Sequence, residues 1–137
     1  MQKRKYKKKT DRKKLDEYCL TIWGKIIRSK GKCTICGKTD SLQAHHIISR
    51  RYNVGRHALD NGLCICSSCH FFEKPEPERF RDMVLGAIGE DRFKVLKEKY
   101  ILKSRKISLG ELDEIKAGLK EELKQLSDPL GLEELPF

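Results

Sequence analysis

Between residues 12 and 30 the apolar side chains Leu15, Tyr18, Cys19, Ile22, Trp23, Ile26 and Ile27 recur at intervals of three and four, the repeat of one buried helix face. Gly31 is suited to close such a helix. Cys19 and Trp23 lie on this stripe and read as packing residues. Between Lys32 and His70 the helical period disappears, and short apolar stretches alternate with Gly, Asn, Asp and Ser. That pattern predicts strands over Ser41–His46 and Gly62–Cys66, joined by a long basic loop. A helix is expected to open near Ser67 and to stop before Pro75, because a residue preceding proline is pushed out of the helical region. Further helices are expected over Pro77–Gly89 and Glu90–Lys103. Ser108 and Glu111 form a capping box for a last helix carrying Leu109, Leu112, Ile115, Leu119, Leu123 and Leu126. The fold class is therefore α+β, with helices flanking a short strand-loop-strand-helix centre.

At 137 residues the chain has room for one compact functional unit. No apolar run approaches the roughly 18 residues of a membrane span. No apolar stretch with a cleavage site follows the basic N-terminus, so a cytoplasmic protein is expected. Charge is unevenly distributed within a net +10. Residues 1–14 hold nine Lys or Arg against one Asp, whereas residues 107–137 hold three against eight acidic residues. Three segments follow: a flexible basic arm (1–11), a central domain with flanking helices (12–106), and an acidic amphipathic helix with a tail (107–137). The acidic helix suits packing on the basic body or holding a protein partner. The terminal Leu135-Pro136-Phe137 suits a loose tail or a short docking peptide. A chain basic through its first three quarters favours a polyanionic partner, since each neutralised phosphate releases counterions.

Six cysteines in a reducing compartment read as metal ligands or buried thiols rather than disulfides. Cys33 and Cys36 form one CxxC pair, and Cys66 and Cys69 a second. Each pair can grip one side of a tetrahedral zinc ion. Gly37 fits the tight turn of such a knuckle. Cys64 competes with Cys66 for the site, but only Cys66 completes a CxxC. A closed four-sulfur site has no open position for a substrate, so this zinc would staple the fold. Three of the four histidines cluster around it in sequence: His45 and His46 at the end of the first expected strand, then Asn61, then His70 beside Cys69. Adjacent helical residues differ by about 100° in direction, so Cys69 can face the zinc while His70 faces a cleft.

The arrangement Cys33-Cys36, His45-His46, Asn61, Cys66-Cys69-His70 resembles the HNH endonuclease family, in particular its small phage-type members with a four-cysteine knuckle. The resemblance covers about residues 31–75 and implies a ββα-metal (His-Me finger) core. It implies His46 as general base, His45 and His70 as ligands of one catalytic divalent metal, and Asn61 as the residue that tethers the loop. Magnesium or manganese is expected at that centre, with nickel or zinc also compatible. The chemistry agrees: hydrolysis of a phosphodiester needs a base working near neutral pH and stabilisation of charge on phosphate oxygens. Arg50 and Arg51, in the loop beside the site, are candidate DNA clamps, since arginine forks match phosphate geometry. His57 lies outside the motif and receives no role. The expected function is metal-dependent cleavage or nicking of DNA by a monomer in the cytoplasm, of the host if phage-encoded. Phage DNA packaging or recombination, with packaging machinery as a possible protein partner, is the setting the resemblance implies. The alternative is a non-catalytic zinc-knuckle module that binds nucleic acid, which accounts for the cysteines but not for His46.

Overall fold

The structure is a computed structural model and describes residues 10–127. Most of the expected basic arm and the terminal tail lie outside the described residues. Helix α1 (Asp11–Arg28) begins one residue earlier than the apolar period suggests, because Thr10 caps it by accepting a hydrogen bond from Lys13 N–H. Strands β1 (Leu42–His46) and β2 (Gly62–Cys66) pair antiparallel, with Leu42 opposite Cys66 and His46 opposite Gly62. Helix α2 (Ser67–His70) follows directly and tightens into a 3-10 turn over Phe71–Glu73. Helices α3 (Pro77–Ile88), α4 (Glu90–Lys97) and α5 (Leu109–Ser127) complete the fold. The mixed α+β architecture is thus a ββα unit wrapped by helices.

Three apolar clusters hold it together. On one side of the hairpin, Leu63 and Ile65 pack with Phe80 and Val84 of α3. On the other, Cys19, Ile22 and Trp23 of α1 meet Leu112 and Leu119 of α5, with Ala44 of β1 against them. The acidic last helix therefore does pack on the basic body through its apolar stripe. Its capping box is formed, Glu111 N–H donating to Ser108 Oγ at 3.1 Å and Ser108 N–H to Glu111 Oε1 at 3.3 Å. The third cluster joins Ile48 of the inter-strand loop to Leu96 and Tyr100.

The helix expected over Glu90–Lys103 is not one α-helix: α4 ends at Lys97 and a π-helical turn occupies Glu98–Leu102. The wider turn seats buried Tyr100 against Gly55 and lets its hydroxyl donate to Asp60, so a tertiary contact overrides helical period. No helix among the described residues is long and apolar enough to cross a membrane.

Gly62 sits where α1 crosses β2. A Cβ there would fall within the Ile27 side chain and 3.0 Å from Trp23 Cζ2. We expect Gly62→Ala to lower stability by about 1–3 kcal/mol through overpacking. Gly86, on exposed helix with nothing within 4 Å, should behave oppositely, Gly86→Ala raising stability by about 0.5–1 kcal/mol. Urea unfolding midpoints check both; equal shifts of the same sign would contradict the close α1–β2 approach.

Candidate active site and metal centres

The hairpin carries a sulfur cluster at one end and a histidine cluster at the other. At the first, Cys33 Sγ lies 3.8 Å from Cys69 Sγ, and Cys36 Sγ 3.6 Å from Cys66 Sγ. All four sulfurs fall within 4.8 Å of one another. Tetrahedral zinc with bonds of about 2.3 Å requires sulfurs about 3.8 Å apart, so the spacing fits such an ion. Backbone N–H groups of Cys36 and Cys69 point at the sulfurs of Cys33 and Cys66, and Gly37 takes a φ of 80° at the knuckle turn. Burial opposes ionisation of Cys33, but surrounding backbone amides outweigh it and bring the thiol down to about 6. Cys64 is buried outside this cluster. Cys66 reaches it because the strand ends there and Cys66 becomes the N-cap of α2.

At the other end, alternation along β1 sends neighbouring histidines to different partners. His45 meets the rings of His70 and Phe80 edge-on, at 5.2 and 5.1 Å. His46 stacks flat on Trp23 of α1, with centroids 4.0 Å apart and planes 13° from parallel. Because the strand ends at this point, both rings still line one cleft of about 770 Å³, together with His70, Glu73, Phe80 and Arg50.

Glu73 is the residue that the sequence reading misses. Its Oε2 is 3.2 Å from His45 Nδ1 and 3.5 Å from His70 Nε2, and ligand atoms of all three fall within 4.8 Å of one another. The signal was its position three residues after His70, because a 3-10 turn nearly eclipses residues i and i+3. His70 Nδ1 lies 2.5 Å from Gln43 Oε1. An amide oxygen only accepts, so Nδ1–H donates to it, and Nε2 is the ring nitrogen turned toward Glu73 and open to a metal ion. Burial, with the nearby charges of His70 and His46, lowers His45 to about 4. Two imidazole nitrogens and a carboxylate form a donor set suited to a hard or borderline divalent cation.

His46 is held by what surrounds it. Its Nε2 lies 2.8 Å from the Arg56 carbonyl oxygen, an acceptor, so the proton sits on Nε2 and Nδ1 is the basic nitrogen. Burial lowers its pKa; the Arg56 carbonyl opposes this, and the charges of Arg50, Arg56 and His57 add to the lowering. Asn61 is fully buried. It spans the inter-strand loop, accepting from Ile48 N–H at 2.7 Å and donating to the Ile48 and Gly55 carbonyls at 2.9 Å. That is far more than the simple turn its Asn-Gly sequence could also signal.

Helix α1 reaches the same loop. Asp16 receives two bonds from the Arg56 guanidinium, at 2.8 and 2.7 Å, and one from His57 Nε2 at 2.7 Å. Trp23 Nε1–H donates to the Ala58 carbonyl at 2.9 Å. Trp23 is therefore a packing residue that also braces His46 and its loop. On the far side Asp60 takes bonds from Lys99 Nζ, at 2.7 Å, and from the Tyr100 hydroxyl. Of the two candidate clamps, Arg50 lines the cleft, whereas Arg51 lies over Tyr52 and donates to its hydroxyl at 2.9 Å.

A hairpin and short helix, with a closed sulfur cluster and an open histidine cluster, define a ββα-metal centre. Residues 33–74 match the family model of HNH endonuclease, so this part of the chain carries an HNH-type domain. No curated protein and no solved structure matches the chain.

Two outcomes follow. Zinc content, read by a colorimetric thiol-displacement assay, should be about one ion per chain and survive Cys64→Ser but not Cys66→Ser; retention by Cys66→Ser would assign the ligand wrongly. Burial raises Asp16 and Asp60, but bonds from Arg56 and His57, and from Lys99 and Tyr100, outweigh it and leave both carboxyls below their ordinary value. A depressed carboxyl stabilises the fold above the ordinary carboxylate pKa and loses that contribution as pH falls through its folded value. Amide protection factors across residues 48–60, corrected for the intrinsic exchange rate at each pH, should accordingly fall below about pH 4, and Asp16→Asn should blunt that dependence. A loop equally protected at pH 3 and pH 6 would show that the carboxylates do not hold it.

Proposed function

We propose that this chain is a metal-dependent endonuclease that hydrolyses DNA phosphodiester bonds at the His45/His46/His70 cleft. The observation that carries the reading is the orientation of His46: Nε2–H is committed to the Arg56 carbonyl, leaving Nδ1 as the basic nitrogen of a ring that lines the cleft with His45, His70 and Glu73. In the reaction a water oxygen attacks phosphorus as His46 Nδ1 takes the water's proton, and the bond from phosphorus to the leaving sugar oxygen breaks. A magnesium or manganese ion held by His45, His70 and Glu73 would stabilise the charge that develops on the phosphate and leaving oxygens. Trp23 prevents the His46 ring from rotating, and the Arg56 carbonyl favours the imidazolium that forms. Arg50 reaches a phosphate oxygen from the loop side. The zinc held by Cys33, Cys36, Cys66 and Cys69 takes no part in the chemistry. DNA packaging or recombination in a phage-infected host is the setting that suits a small protein of this type. The competing reading, a zinc-knuckle module that binds nucleic acid without cutting it, leaves the orientation of His46 without a purpose.

Relaxation of supercoiled plasmid with added Mg²⁺ or Mn²⁺ decides between them. Wild type should nick, and His46→Ala should lose on the order of 10²–10⁴-fold in rate while keeping its zinc and its DNA affinity. Glu73→Gln should raise the metal concentration needed for half-maximal rate. Full cleavage by His46→Ala removes the mechanism; binding without cleavage by wild type in either metal favours the non-catalytic module.

A further inference from the structure

The cleft has a second wall that the HNH motif does not supply. Besides the motif residues, it is lined by Arg81 of α3 and by Phe93 and Lys97 of α4. The Arg81 Cζ and the Lys97 Nζ each lie 5.6 Å from the centre of the Phe93 ring. Neither cation forms an ion pair with a carboxylate among the described residues, although Arg56, Arg79, Lys99 and Arg105 all do. The carboxylate lining this cleft is Glu73, which already faces two histidines. Two exposed cations thus share one aromatic ring with no carboxylate on either. The ring reduces the freedom of both heads, and a polyanion would supply the counter-charge that both lack.

We propose that Arg81 and Lys97 form a phosphate-gripping wall. Together with Arg50, which lines the same cleft, they hold one nucleic-acid strand by backbone phosphates flanking the bond at His46. Contacts of this kind position the strand without reading its bases, so this wall contributes affinity that tolerates sequence. The inference rests on the endonuclease reading for which phosphate is attacked, but the binding it describes is measurable without cleavage.

The test uses the full chain carrying His46→Ala, with no added divalent metal, and follows anisotropy of a labelled short duplex across a KCl series. Each lost phosphate contact should make the slope of log K against log[KCl] shallower by about 0.9. Arg81→Gln/Lys97→Gln should therefore change it by about 1.8, and should weaken binding at low salt by at least about tenfold. Lys32→Gln/Lys120→Gln removes the same charge away from the cleft and should change the slope by less than half as much. Equal changes in both double variants, or no binding by the parent, would overturn the proposal. Plasmid nicking by the otherwise wild-type chain is scored separately. A shallower slope without nicking keeps the wall and removes the endonuclease reading; nicking with an unchanged slope does the reverse.

Discussion

The register of one short strand pair is the constraint on which the rest depends. Side chains alternate along a strand with a period of two, so a slip of one residue would exchange the faces. In the observed register Gly62 lies opposite His46. The absent side chain of Gly62 lets α1 come close enough for Trp23 to stack on the imidazole. His45, one residue back, is thereby directed to His70 and Phe80. The same pairing sets Cys66 opposite Leu42 at the far end, where the chain turns into α2 and brings Cys69 to the sulfurs and His70 to the cleft. One register thus fixes both clusters, and the four thiols are placed to lock it.

A long loop between paired strands costs entropy to order, and this one is held from three directions. Asn61 ties its two ends together from within. Asp16 anchors Arg56 and His57 to α1, and Asp60 anchors the end of the loop to the π-helical turn. The Arg56 carbonyl that orients His46 is part of this scaffold. Elements outside residues 33–74 are therefore not ornament on the HNH domain: α1 braces His46, and the α3–α4 pair helps line the cleft.

Much of this was legible from local pattern. The helical stripe of α1, both strands to within a residue, the two CxxC pairs and the capping box at Ser108 all follow from spacing over a few residues. What stayed hidden depends on contacts between distant positions. Nothing in the local sequence marks Asp16 as the partner of Arg56 and His57, and an apolar stripe cannot show that Trp23 will stack on a histidine. Glu73 was hidden for a different reason: its role depends on α2 tightening into a 3-10 turn, which residue periodicity does not distinguish from one more turn of α-helix. Likewise, the unpaired Arg81 and Lys97 look like any other cations on a solvated helix until the fold turns them to the same cleft.

On the endonuclease reading, one hairpin carries two separate metal centres with different work, and His46 belongs to neither. Anomalous diffraction from crystals grown with Mn²⁺, recorded at the zinc and manganese absorption edges, tests it directly. The expected result is a zinc peak enclosed by Cys33, Cys36, Cys66 and Cys69, and a manganese peak among His45, His70 and Glu73, with His46 unligated. A manganese peak bound to His46, or none within the histidine cluster, would contradict it.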